Sequence, residues 1–373
     1  MHEDTHHDDQ PPAAARLEAG QIAAFWSDFS AGLSALEALD GQEFVERANE
    51  LLQRHAPGLA LELEGRPAEA GARLVVTAHG NIEQFENVQA LVREAPRCPP
   101  YAVQAFRSRM APGPQGSNFA MHMQGFELSC AEVLVAHYDA GGIVGLELSF
   151  AKPIPQDMAE HARHMAFIML DHVLGEWDFS VRVGPVDFVD ASADARGGAQ
   201  PLSAFPPVFD AFQREVLGRS YAYPQEDEDR WISLEVRARD AGDDEPPDLL
   251  SFHDGANALA TRADLSHFLT WTFPVSSQQE LDSARDAQDA LEAQLLSQQG
   301  GILAFSRMER MQSRVAAFYV ADPADAVQRA ERIAARHAPG LEAELQVVFD
   351  PAWHEYLGLY SAIHRNRHAK EAA

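Results

Sequence analysis

Residues 45–63 and 327–345 of this chain are near copies of each other, and this internal repeat constrains the fold more than any other feature. Both copies contain Arg-His-Ala-Pro-Gly-Leu, followed after two further residues by Glu-Leu. Apolar residues at helical spacing lead into Pro-Gly, which cannot continue a helix, and alternating apolar and acidic residues then indicate a half-buried strand. The repeat therefore predicts one helix-turn-strand unit that is used twice.

Two pairs of ionisable residues occupy matching places in the repeat. His55 and His337 come just before Pro-Gly, where an imidazole can hydrogen-bond the last helical carbonyls and complement the negative helix end. This placement favours a capping role over catalysis. Glu62 and Glu344 alternate with leucines that face the core, so both carboxylates are predicted to point away from the core and into solvent.

The charge of the chain limits its partners. Asp and Glu number 57 against 29 Lys and Arg, which gives a formal net charge of −28. Such a surface repels nucleic-acid phosphates and anionic membranes but attracts a basic protein, although the same charge also promotes solubility. Two cysteines are too few for a disulfide scaffold, and neither a signal peptide nor an apolar run of spanning length is recognisable. These features predict a cytoplasmic protein and leave its oligomeric state open.

Composition and predicted elements divide the chain into five segments. The prediction is a disordered tail at 1–16, an α+β domain at 17–190, a linker at 191–228, a second domain at 229–360 and a polar tail at 361–373. The linker is assigned because glycine, proline and acidic residues are concentrated there.

The order of predicted elements in the second domain indicates its architecture. From 268 to 349 the order is β-α-β-β-α-β, which is typical of a ferredoxin-like sandwich with a four-stranded antiparallel sheet and both helices on one face. The same order can be traced from 74 to 189, with extra strands inserted. The predicted fold is therefore α+β, with two ferredoxin-like α/β sandwich domains that contain antiparallel sheets and share the duplicated unit.

Short aromatic motifs mark the end of the second domain. They are Arg314 and Phe318-Tyr319 on one predicted strand, and Asp350, Trp353 and Tyr356 after the last strand. With these motifs the segment 229–360 resembles the bacterial family catalogued as domain of unknown function 695. The resemblance implies a fold and a bacterial source but no catalytic residues. Relatives in that family join such a domain to one resembling regulator of ribonuclease E activity B, an inhibitory binding protein. Trp353 and Tyr356 are predicted to dock a terminal helix onto the sheet.

One helix carries the best candidate for a metal site. Asp157, Glu160, His161 and His164 follow Pro155, and their spacing places them along one helix face, where imidazoles and a carboxylate could bind zinc or another divalent cation. Acidic residues also complement the dipole at a helix N-terminus, so their presence has a structural explanation as well. Asp171 and Glu176, near the other end of this helix, are paired carboxylates of the kind used in acid–base chemistry.

Several common catalytic motifs do not occur in the sequence. There is no Gly-X-Ser-X-Gly elbow, no phosphate-binding glycine loop and no Cys-X-X-Cys pair. The prediction is thus a bacterial cytosolic binding or regulatory protein without a cofactor. One specific form is an acidic inhibitor or immunity-type protein that holds a basic partner by charge complementarity. The alternative is a metal-assisted enzyme that uses the face from Asp157 to His164.

Overall fold

Helices and strands are mixed along the chain, which confirms the α+β class. The computed structural model describes residues 15–110, 119–123, 125–189, 198–225, 229–237 and 246–371. Its α-helices are α1 (Ala19–Leu36), α2 (Gly41–His55), α3 (Phe85–Arg93), α4 (Ala159–Leu174), α5 (Glu176–Arg182), α6 (Pro206–Glu215), α7 (Gln278–Ser297), α8 (Pro323–His337) and α9 (His354–Glu371). None of these helices has the combined length and apolar character that crossing a lipid bilayer requires.

The strands of the described residues form four sheets. They are β1 (Ala60–Glu64), β2 (Arg73–Thr77), β3 (Ala102–Ala105), β4 (Ala120–Met123), β5 (Phe126–Ser129), β6 (Val133–Asp139), β7 (Val144–Phe150), β8 (Val183–Phe188), β9 (Gln200–Pro201), β10 (Trp231–Val236), β11 (Asp248–His253), β12 (His267–Pro274), β13 (Gly301–Glu309), β14 (Ser313–Val320) and β15 (Glu344–Phe349).

The chain separates into two compact units. The first takes its described residues from Met1–Glu132 and Pro153–Ser180, and the second from Val133–Lys152 and Val181–Ala373. This division differs from the predicted linear domains, because the hairpin β6–β7 pairs with β9 and β8 and so groups with the later segment. Residues 1–14 of the predicted N-terminal tail lie outside the described residues. At the other end, α9 continues through most of 361–373, the segment predicted to be a polar tail.

The first unit is built on a three-stranded sheet in the order β1-β2-β3. β1 and β2 are antiparallel, whereas β3 lies parallel to β2 after the crossover through α3. Aromatic residues of α1 and α2 are buried, and Trp26 Nε1 donates to the carbonyl oxygen of Leu91 at 2.8 Å. In a ferredoxin-like sandwich, the two strands that a helix connects are separated in the sheet by another strand. Here β2 and β3, which α3 connects, are direct neighbours. The strand pairing therefore differs from the ferredoxin-like order predicted for 74–189.

The second unit contains a six-stranded sheet in the order β10-β11-β13-β14-β12-β15. Its last four strands are antiparallel to their neighbours, and along the chain they occur as β12-α7-β13-β14-α8-β15. Apolar residues of α7 and α8 pack with Leu269, Trp271 and Phe318 on one face of the sheet. The unit also contains a four-stranded sheet in the order β8-β7-β6-β9.

The other face of the six-stranded sheet is covered in part by the C-terminal helix. The Trp353 ring stacks on Tyr319 of β14 with centroids 3.8 Å apart, and its Nε1 donates to the carbonyl oxygen of Leu265 at 2.8 Å. The Tyr356 hydroxyl donates to the carbonyl oxygen of His253 at 3.0 Å. The prediction that Trp353 and Tyr356 dock the terminal helix onto this sheet is confirmed.

The helix and the following corner have the same local structure in the two copied segments. α2 and α8 each contain 15 residues, and each begins after an aspartate whose side chain accepts backbone N–H groups of the first turn. At the following corner Gly58 has φ 89° and Gly340 has φ 93°. These angles lie in the left-handed region that glycine tolerates, which explains why both helices end there. The strand that follows is β1 in the first unit and β15 in the second.

Candidate functional site

The structure places the four residues of the predicted metal face on α4 and on the turn before it. Asp157 lies in the short 3-10 turn Gln156–Met158, and Glu160 pairs with Arg163 at 3.1 Å. Within the described ranges, no group of three or more His, Cys, Asp or Glu side chains is arranged to hold a metal ion. A metal site on Asp157, Glu160, His161 and His164 therefore stays a prediction. His164 also lines the cavity described next.

A cavity of about 500 Å³ opens in the first unit. Its walls come from β1, the turn after β2, the residues after β3, α4 and α5. The ionisable residues that line it are Glu62, His79, Arg107, His164, Asp171 and His172. We call it the Arg107 cavity, and among the described cavities it brings together ionisable side chains from the largest number of distant chain segments.

Arg107 forms the centre of the polar wall. Its side chain is only 9% exposed and makes a two-point ion pair with Glu62, from Nε to Oε2 at 3.1 Å and from Nη2 to Oε1 at 2.7 Å. Its Nη1 donates to Oδ2 of Asp171. Bidentate and charge-assisted hydrogen bonds of this kind are the strongest that side chains make. One cation is thus shared by carboxylates from β1 and α4.

A buried carboxylate fixes the backbone around Arg107. Glu176, at the start of α5, is 0% exposed. Its Oε1 accepts the backbone N–H groups of Ala78 at 3.0 Å and Gly80 at 3.1 Å, and its Oε2 accepts the N–H of Arg107 at 3.1 Å. Because a buried carboxylate is stable only when donors surround it, these three bonds tie the turn after β2 to the end of β3. They thereby position His79 and Arg107.

Gly175 allows the residues after β3 to approach the α4–α5 corner. Its φ is 84°, and a Cβ atom built there would lie 3.0 Å from the nitrogen of Arg109 and 3.2 Å from the oxygen of Arg107. Arg109 completes the contact, since its Nε donates to the carbonyl oxygen of Leu174 at 3.0 Å and to Oδ2 of Asp178 at 2.8 Å. The segment 107–109 is therefore held against the end of α4 by both backbone and side chains.

The charges of the wall shift the pKa values of its members. Burial alone would raise the pKa of Glu62, but the hydrogen bonds and positive charge of Arg107 outweigh it and hold that pKa below its ordinary value. Burial alone would lower the pKa of Arg107, yet the bonds to Glu62 raise it. Burial, reinforced by the charge of Arg107, lowers the pKa of His172. The folded protein thus favours the ionised pair and a neutral His172 imidazole.

The lining of the cavity also contains aromatic side chains. Phe167 of α4 and Phe179 of α5 both line it, and their ring centroids are 6.2 Å apart. Phe167 is 38% exposed, which is unusual for a large apolar side chain on a helix that otherwise buries its apolar face. The cavity therefore combines an acidic polar wall with two phenyl rings, one of them open to solvent.

The prediction that Glu62 points into solvent is wrong, because its carboxylate pairs with Arg107 in the cavity wall. Glu344, at the same place in the second copy, is exposed as predicted. Sequence reasoning noticed Asp171 and Glu176 but missed Arg107. The concentration of acidic residues around the end of α4 was the available signal, since closely spaced carboxylates require a cation near them.

No protein-family model matches this chain, and no curated protein or solved structure matches it either.

Proposed function

We propose that this protein is a binding protein that recognises a positively charged protein partner. Acidic residues outnumber Lys and Arg by 57 to 29. This excess creates a negative potential that attracts cationic proteins and speeds their association. Nucleic acids and anionic membranes carry the same sign of charge as the chain, so both are disfavoured as partners.

The observation that carries this proposal is the charge balance of the Arg107 cavity. Glu62 and Asp171 share the guanidinium of Arg107, and the buried Glu176 accepts the backbone N–H of the same residue. Two carboxylates of the cavity lining thus share one arginine, and the third carboxylate, Glu176, is buried behind it. Because charges inside a concave and poorly solvated site are weakly screened, the excess negative charge favours a cationic group in the cavity.

One specific form of this function is an inhibitor or immunity-type protein in the bacterial cytoplasm. Such a protein would hold a basic toxin or nuclease by charge complementarity and would need no cofactor for this role. Support comes from the same acidic excess, with the Arg107 cavity as a concave acceptor for a protruding basic side chain.

We also propose a ferredoxin-like fold for the segment 268–349 and an origin of the two copied segments by duplication. The strand order β13-β14-β12-β15, with α7 and α8 on one face, supports the first proposal. The matched helix lengths and glycine corners support the second. The resemblance of 229–360 to domain of unknown function 695 is retained as a proposal on its sequence motifs alone.

Binding of the full chain to a fluorescent oligoarginine peptide, compared with oligoglutamate and uncharged peptides of the same length, tests the proposed function. We expect saturable binding of oligoarginine that weakens as salt is added, since salt screens charge attraction. Oligoglutamate should not bind. An affinity for oligoarginine no greater than that for the uncharged peptide would contradict the proposal.

A further inference from the structure

We infer that the Arg107 cavity binds a single guanidinium group, supplied by an arginine side chain of the partner. This inference rests on the proposed function, because it assigns the partner's positive charge to one chemical group and one site. It is drawn from three features of the cavity: a carboxylate oxygen without a donor, aromatic rings in the lining, and the ion pairs that Arg107 already makes with the carboxylates of the wall.

The acceptor is a carboxylate oxygen of Asp171. Oδ2 of this residue receives Nη1 of Arg107, whereas Oδ1 is buried and has no hydrogen-bond partner among the described residues. A buried carboxylate oxygen without a donor is costly, because folding has removed the water that would solvate it. Asp171 lines the cavity, so a ligand N–H group that displaced the atoms covering this oxygen and bonded to it would remove that cost.

The rings of Phe167 and Phe179 provide the second feature. Cations are attracted to the negative face of an aromatic ring, and a planar guanidinium can stack on such a face while its N–H groups reach acceptors at its edge. Phe167 and Phe179 both line the cavity, and Phe167 is partly exposed. A primary ammonium has no planar face, so the combination of rings with a carboxylate favours arginine over lysine.

The third feature disfavours a ligand of the opposite charge. Three of the five N–H groups of Arg107 already bind carboxylates, Nε and Nη2 to Glu62 and Nη1 to Asp171, so its positive charge is largely compensated within the wall. The guanidinium of Arg107 is thus committed to the wall and leaves the cavity acidic. The cavity volume of about 500 Å³ lies within the range typical of small-ligand sites, so it has room for a guanidinium and part of its aliphatic stem.

Titration calorimetry of the full chain with arginine amide tests this inference, and citrulline amide is the matched control because a neutral urea replaces the guanidinium at almost the same size. We expect arginine amide to bind at least about tenfold more tightly, since the charge-assisted bonds are lost in the control. Equal affinity for the two amides would overturn the inference.

The variants Phe167→Ala and Leu296→Ala locate the site. Phe167 is 38% exposed and Leu296 is 39% exposed, so both changes remove a partly exposed apolar side chain with little risk to folding. Phe167→Ala should lower the affinity for arginine amide about threefold or more, whereas Leu296→Ala should leave that affinity unchanged. Circular dichroism checks that both variants fold. An unchanged affinity in Phe167→Ala would place the guanidinium outside the cavity and overturn the inference.

The two proposals can fail separately. If oligoarginine binds the parent chain and Phe167→Ala with equal affinity, the proposed function stands and the cavity assignment is wrong. If arginine amide binds in the cavity and oligoarginine does not bind, the guanidinium site stands and the proposed protein partner is wrong.

Discussion

The two copies of the repeated segment fold alike but contribute different chemistry. In the first copy Glu62 of β1 is partly buried and forms part of the ion-pair network around Arg107. In the second copy Glu344, opposite Thr272 in the pairing of β15 with β12, is exposed. The helix, its N-terminal aspartate and the glycine corner are the same in both. The comparison shows that local sequence determines local structure, whereas the role of a side chain depends on residues far away in the chain.

The largest loss of stability is expected when Arg107, the cation that pairs with Glu62 of the first copy, is replaced. Arg107→Met leaves the carboxylates of Glu62 and Asp171 without their cation, and breaking a buried ion pair in this way typically costs about 3–5 kcal/mol of unfolding free energy. Arg336→Met changes an exposed arginine of the second copy and should stay within about 0.5 kcal/mol. Urea denaturation measures both, and equal effects would remove the distinction between the copies.

A smaller effect is expected when the matched glutamates are changed. Glu62→Gln should cost about 2 kcal/mol at neutral pH, because it removes charge-assisted bonds to Arg107, and Glu344→Gln should cost less than about 0.5 kcal/mol. Each variant removes one negative charge, so net charge cannot explain a difference. Equal unfolding free energies for the two variants would show that Glu62 is no more than a surface residue.

The effect of Glu62→Gln should also depend on pH. The pKa of Glu62 lies below its ordinary value of 4.5, so its ionised form is favoured in the folded protein. The stabilisation is therefore fully present above pH 4.5 and is lost as the pH falls through the lower folded pKa. Unfolding free energies of the parent chain and Glu62→Gln should converge on acidification, and a constant gap would contradict the assigned ion pair.

Replacing the glycine at either corner by alanine should lower the stability of the protein by a similar amount. Gly58 and Gly340 both have positive φ, so Gly58→Ala and Gly340→Ala should each cost about 1–2 kcal/mol. The Gly58 change should cost slightly more, since a Cβ atom there would lie 3.0 Å from Nε2 of Gln84, whereas nothing lies within 4 Å at Gly340. Thermal denaturation measures both costs. A negligible cost at only one corner would mean that the corners differ in backbone conformation.

The smallest effects are expected at the helix N-termini. Asp40 accepts the N–H of Glu43 at 2.9 Å, and Asp322 accepts those of Ala324 at 3.0 Å and Asp325 at 3.1 Å. Replacing either aspartate by alanine should cost about 1 kcal/mol. Hydrogen exchange of the first-turn amides in each variant would show whether the loss is local, and unchanged exchange in either helix would argue against the capping role there.

Sequence reasoning predicted what is encoded locally. The helix, corner and strand of each copy follow from residues within about one element of each other, and the order of elements from 268 to 349 follows from periodicity. The Arg107 cavity could not be predicted in this way, because Arg107 lies 45 residues from Glu62 and 64 from Asp171. The pairing of the hairpin β6–β7 with β8 and β9 was missed for the same reason, since periodicity carries no information about which strands become neighbours.

A double-mutant cycle between Glu62→Gln and Arg107→Met measures the coupling energy of the two side chains. It tests most directly whether Glu62 of the first copy forms part of the cavity wall. The account predicts a coupling energy of about 2 kcal/mol at neutral pH, while a control cycle between Glu344→Gln and Arg336→Met in the second copy should give less than about 0.5 kcal/mol. Coupling energies that are equally small in the two cycles would contradict the central claim. That claim is that the first copy of the repeat contributes a side chain to the Arg107 cavity, whereas the second copy has a structural role only.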